Sequence, residues 1–319
     1  MLISRLTLTL ALAAGLLVPS GARAVPPPGT DCRVFPKNNV WHANITKLEV
    51  HKRSKEWIRA MGGREQLLHP DFGPSDDPEH PYGIPYNVVG EAHADHQIEF
   101  QYADESDPGP YPVSTDTHVE HGSDRHALVI DRDDCVLYEI FDFDWNGGEP
   151  QGGSGAVWDL DKNSLRPATW TSADAAGLPI LVGLIRRDEV LDGEIDHAIR
   201  ITAEETDRRF IWPARHQAGA RSDRSLPPMG ARFRLKKAFP IGKYNEETQV
   251  ILRAMRTYGV ILADNGSNWF FGGSEDQGWP SQVLDELKSI PAGAFVAVAT
   301  GSMKVSKDSA AVKPRYVAV

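Results

Sequence analysis

The chain has 319 residues, 41% of them hydrophobic and 24% charged. That composition supports a substantial buried core and excludes a disordered tail, a collagen-like repeat and a disulfide-stapled miniprotein. With 34 Lys and Arg against 44 Asp and Glu the formal charge is −10, which repels phosphate backbones and sets nucleic acid aside as a partner.

Arg5 stands ahead of an uncharged run from Leu6 to Val18, and Ala22-Arg23-Ala24 offers the small residues that a signal peptidase accepts. Residues 1–24 therefore read as a secretory signal and 25–319 as a single β-rich domain, secreted or periplasmic. Losing the two arginines of the leader takes the net charge from −10 to −12. The apolar run is shorter than the ~20 residues a membrane span needs, so no membrane association is expected once the signal is removed. Export gives the two cysteines a meaning: in an oxidising compartment Cys32 and Cys135 are expected to pair, the alternative being two independent buried thiols.

Ser54–Met61, stopped by Gly62-Gly63, predicts a helix. The Pro- and Asp-rich stretches 69–85 and 104–112 read as surface loops around a strand at Gln97–Tyr102, where polar and apolar residues alternate. His126–Asp131, a charged bend and Cys135–Phe143 predict a hairpin. Further strands are expected at Gly155–Leu160, Glu194–Thr202, Arg209–Trp212, Ala231–Leu235, Gly259–Ala263, Trp269–Phe271 and Ala294–Ala299, with helices at Ser172–Ala176, Glu246–Tyr258 and Gln282–Ser289. Many short strands with few helices predict a mainly β fold, an antiparallel β-sandwich or jelly-roll-like single domain with peripheral helices. The helix–strand–strand–helix–strand order of 246–299 keeps α+β as the alternative.

Polar residues in phase with large apolar ones are the informative sites. Glu139 alternates with Leu137, Phe141 and Phe143; His126 with Leu128 and Ile130; His197 with Ile195, Ile199 and Ile201. A desolvated carboxylate is raised toward neutrality and suits a general acid, and histidine titrates nearby, so Glu139, His126 and His197 are the candidate catalytic residues. Against this stands the plain core histidine that donates to a backbone carbonyl. Arg215 and His216, just after a strand, and Arg125, just before His126, are candidate substrate-binding residues, Arg215 as a clamp for a uronate carboxylate. Each also fits an ordinary salt bridge. Trp145 and Trp269 are candidate sugar-stacking rings, or core aromatics.

His93-Ala94-Asp95-His96 and His118-Val119-Glu120-His121 have a spacing that converges on a helix, whereas both segments read as extended. A jelly-roll metal site from His126, Glu139, His197 and His216 is the remaining metal reading, and no cofactor is required by the favoured one. Nucleophile-elbow, Walker and dinucleotide motifs are missing from the sequence.

Ser123–Asp131, Trp170–Pro179 and Tyr258–Gly266 resemble segments of a group of secreted bacterial proteins of uncharacterised activity, over about residues 32–300. The resemblance implies export and single-domain length, and no mechanism. The residues themselves lead to a carbohydrate-active enzyme cleaving a polysaccharide or oligosaccharide, as a glycoside hydrolase or a uronate lyase. A non-catalytic glycan-binding or envelope protein and a metal-dependent jelly-roll enzyme are the alternatives.

Overall fold

The β-branched runs expected to form a hairpin do so: Ala127–Asp131 lies antiparallel to Val136–Phe141, with Leu128 opposite Glu139 and Ile130 opposite Leu137. The computed structural model that shows this describes residues 25–77, 81–145 and 148–318; the predicted signal peptide, residues 1–24, lies outside them. Ser154–Asp159 joins the hairpin antiparallel and Asn87–Val89 parallel, completing a four-stranded sheet. Alternation sends Leu128, Ile130, Leu137 and Trp158 into the principal core and Val129 and Ile140 into a smaller one that contains Tyr111. The phase predicted for Phe143 fails at Asp142, whose φ of 52° breaks the strand and turns Phe143 into the smaller core.

The second sheet has six strands in the order His69–Asp71, Phe270–Gly272, Ile199–Ala203, Val260–Asn265, Arg232–Leu235 and Phe295–Val298. Ile199–Ala203 runs parallel to Val260–Asn265, and His69–Asp71 parallel to Phe270–Gly272, while the other pairs are antiparallel. The fold is mainly β, as expected, but both larger sheets are mixed; the wholly antiparallel arrangement is corrected. Strands of the 246–299 segment are built into the six-stranded sheet beside Ile199–Ala203 and Arg232–Leu235.

Four α-helices are present among the described residues: α1 (Ser54–Ala60), α2 (Arg187–Asp192), α3 (Glu246–Thr257) and α4 (Ser281–Lys288). The Asn245 side chain caps α3 by accepting from the Thr248 N–H at 2.8 Å. Gly259 ends it with φ +76°, where a Cβ would stand 2.3 Å from the Phe233 carbonyl. The short helix expected at Ser172–Ala176 is a hydrogen-bonded loop instead, because Ser172 and Asp174 bond the nearby backbone in place of a helical ladder. α2 was not expected.

The predicted disulfide is formed: Cys32 and Cys135 are bonded across 103 positions, with Cα atoms 5.4 Å apart. No helix among the described residues is long and apolar enough to cross a membrane.

Candidate active site

Arg200 sits in Ile199–Ala203, a strand with hydrogen-bonded neighbours on both sides. The strand is buried along most of its length, and the Arg200 guanidinium is buried with it and must be paired. The partner is Asp174: Nε donates to Oδ2 at 2.9 Å and Nη2 to Oδ1 at 2.5 Å, a fork on a fully buried carboxylate. Asp174 is presented by the loop 171–178, whose Asp174 N–H donates to Ser172 Oγ at 3.0 Å and whose Ala176 N–H donates to the Ala263 carbonyl at 2.8 Å.

That Ala263 carbonyl belongs to an irregularity that decides the site. In the parallel pairing, Leu262 lies beside Ile201 and Asp264 beside Thr202, so Ala263 is an extra residue in its strand. A regular strand would turn Asp264 to the face of Ile201. The bulge turns it to the face shared by Thr202 and Arg200 instead. Its Oδ2 lies 3.5 Å from Arg200 Nη2, and its side chain retains 19% exposure. Burial, the negative charge of Asp174 and a hydrogen bond to Asp174 hold the Asp264 carboxyl well above the usual carboxylate range, against the pull of Arg200. Two carboxyls in contact disfavour each other's ionisation, so losing the last proton of the pair is shifted to higher pH.

Asp264 opens onto a cavity of about 310 Å³, lined also by Tyr102, Glu105, Phe141, Ser154 and His216. The cavity lies at a seam between the two larger sheets, with Phe141 and Ser154 from one and Asp264 from the other. His216 Nδ1 faces the Ala175 carbonyl at 2.8 Å. A neutral ring therefore keeps its proton on Nδ1 and leaves Nε2 as a base, 3.8 Å from Glu105 Oε2. Glu105 is itself fixed by the Thr171 N–H at 2.9 Å.

On the other flank of Arg200, His126 is sealed between Glu120 Oε2 (Nδ1, 2.6 Å) and the Ala173 carbonyl (Nε2, 3.2 Å). Burial lowers its pKa, but the hydrogen bond and charge of Glu120 outweigh this and raise it, and both ring nitrogens face acceptors. Its carbonyl contact belongs to the loop that carries Asp174.

Glu139 is fully buried, and both its oxygens are spent on the Ile180 and Leu181 N–H groups at 2.8–3.0 Å and on Trp158 Nε1 at 3.1 Å. Burial, opposed by those donors, pushes it up to about 7. It is an internal joint between the hairpin and a 3-10 turn at Leu181–Gly183. His197 is buried elsewhere, with Nε2 3.2 Å from Glu189 and Nδ1 2.9 Å from the Ala198 carbonyl. The three residues expected to converge thus have separate partners, and only His126 adjoins the Asp174 loop.

Of the substrate-binding candidates, His216 alone lines this cavity. Arg215 gives Nε to the Arg166 carbonyl, Nη1 to the Lys307 carbonyl and Nη2 to Asp308, which fixes it as a structural tie. Trp269 is fully buried, its indole donating to the Met61 carbonyl at 3.1 Å. Arg125 and Trp145 share a separate groove, where Arg125 pairs with Asp142 at 2.7 Å and Trp145 donates to the Gly148 carbonyl at 2.8 Å. Among the described residues no group of three His, Cys, Asp or Glu side chains is placed to hold a metal ion.

Asp174, Arg200, Asp264 and Glu105 were not singled out from the sequence. The available signal was Asp264 at the end of the unbroken apolar run Val260-Ile261-Leu262-Ala263, since such a run marks a strand covered on both faces. No family model matches the sequence, and comparison with curated proteins and with solved structures found no significant match.

Proposed function

We propose that the chain is a carbohydrate-active enzyme that hydrolyses a glycosidic bond in this cavity. The observation that carries the reading is Asp264, packed against the Arg200-held Asp174 and raised by burial, on the same cavity as His216, whose Nδ1 is engaged by the Ala175 carbonyl so that Nε2 is left to take a proton. A raised carboxyl and an imidazole nitrogen on one cavity are the kind of pair that acid–base bond cleavage needs.

In this reading Asp264 gives its proton to the departing glycosidic oxygen as the bond to the anomeric carbon breaks. Water adds to that carbon and loses a proton to His216 Nε2, with Glu105 steadying the imidazolium. Asp264 regains its proton from His216 through solvent. Tyr102 and Phe141 supply apolar faces for a sugar ring. A uronate lyase is less well supported, because the arginine that would hold the carboxylate, Arg215, is occupied. Two mixed sheets sharing one core support a sandwich-like scaffold, and the leader pattern with the disulfide supports export.

Release of reducing ends from a panel of neutral and acidic polysaccharides tests the reading. The wild-type chain should release them from at least one polymer, while Asp264→Asn retains binding and loses ~100-fold or more in kcat. Binding without any product would favour the glycan-binding alternative. Neither binding nor product would end the carbohydrate reading.

A further inference from the structure

A second constellation lies apart from the cavity, where the N-terminus of α1 meets Asp207–Phe210. Lys52, Arg53, Arg209 and Arg224 line a basin of about 170 Å³ on a chain whose net charge is −10. Like charges do not gather on an acidic protein without cost, and only two of these four are neutralised. Arg53 pairs with Glu56 at 2.5 Å and Arg209 with the buried Asp207. Lys52 and Arg224 have no carboxylate partner among the described residues. Arg209 is held below the usual arginine range by burial and by the charges of Arg224 and Arg53, which places it within the field of both.

The basin is also braced. His51 stacks on Trp57, centroids 4.2 Å apart and planes at 18°, and the Trp57 indole donates to the Arg224 carbonyl at 3.3 Å, tying that loop to α1. The Arg53 N–H donates to His51 Nδ1 at 3.2 Å, so the neutral ring carries its proton on Nε2 and adds another donor.

We propose that this basin is an oxyanion-binding site for a sulfate or phosphate group, either free or esterified to a polymer. Excess positive charge, forked guanidinium donors and one imidazole N–H match a tetrahedral oxyanion, and the volume admits one such group. The site is independent of the catalytic reading, since its residues touch none of the cavity.

Titration calorimetry of the full chain with inorganic sulfate, inorganic phosphate, dextran sulfate and uncharged dextran tests it. Lys52→Gln with Arg224→Gln removes the two charges the fold does not use, so folding should be retained, and circular dichroism checks this. Lys288→Gln with Lys313→Gln makes the same charge change elsewhere. Binding of the inorganic ions identifies a free-ion site, and binding of dextran sulfate alone a polymer-borne ester. In either case the basin variant should weaken binding about tenfold or more, and the control by less than about twofold. No anion binding, or equal losses in the two variants, overturns the proposal.

Discussion

Arg200 and Asp174 illustrate how far one pair governs the site. Each would be an uncompensated buried charge without the other, so Arg200→Met should cost about 3–5 kcal/mol in chemical denaturation. A cost within that of an exposed substitution would contradict the buried fork. Asp174 is a positioning residue: its charge raises Asp264 and it touches no space open to a ligand. Asp174→Asn should return Asp264 toward ordinary carboxylate behaviour and move the alkaline limb of the activity profile down by about one pH unit or more. An unchanged profile with lower kcat would mean that Asp174 only supports the fold.

At the scale of elements, the hairpin was legible because its two arms are dense in β-branched and aromatic residues, and α3 because its cap, its apolar stripe and Gly259 agree. Burial of Glu139 was legible from strand phase; His126 and His197 are buried as expected, but His197 lies in a bend ahead of Ile199–Ala203, outside the strand expected at Glu194–Thr202. Their convergence was not, since alternation fixes a face and says nothing about which loop closes over it. Asp264 was hidden by the extra residue Ala263, which no local pattern announces, and Arg200 because a charged residue in a strand gives no sign of the buried carboxylate that pairs with it. The disulfide ties the segment before η-turn Val40–His42 to the hairpin bend. Closing a loop of about 100 residues stabilises by ~4.7 kcal/mol in the chain-entropy account, so Cys32→Ser with Cys135→Ser should lower the unfolding free energy by several kcal/mol. A loss below about 1 kcal/mol would show that the reduced chain keeps those segments together.

For the whole molecule, the titrating groups set a pH dependence whose sign can be worked out. Glu139 (about 7 against 4.5), Asp264 and His126 are all raised by folding, so their contributions are complete at low pH and are lost as pH rises. Asp196, lowered to about 2 by His42 although burial opposes it, and Glu120, lowered by His126, contribute at higher pH and lose that contribution as pH falls. Stability should therefore peak in mildly acidic solution, at roughly pH 4–5, and decline toward neutrality, with Glu139 accounting for on the order of 3 kcal/mol. Urea midpoints across pH 3–8 check this. Glu139→Gln, which mimics the protonated acid, should flatten the decline between about pH 4.5 and 7, and an unaltered slope would assign it to other groups.

The whole account turns on where one proton resides, and carboxyl ¹³C NMR of the aspartates, assigned by comparison with Asp264→Asn, observes it directly. The Asp264 resonance should remain that of the acid well above the ordinary aspartate value of 3.8 and titrate only at higher pH. A carboxyl that ionises at about 3.8 would leave the cavity with two anions and no acid, and the proposed chemistry would fail.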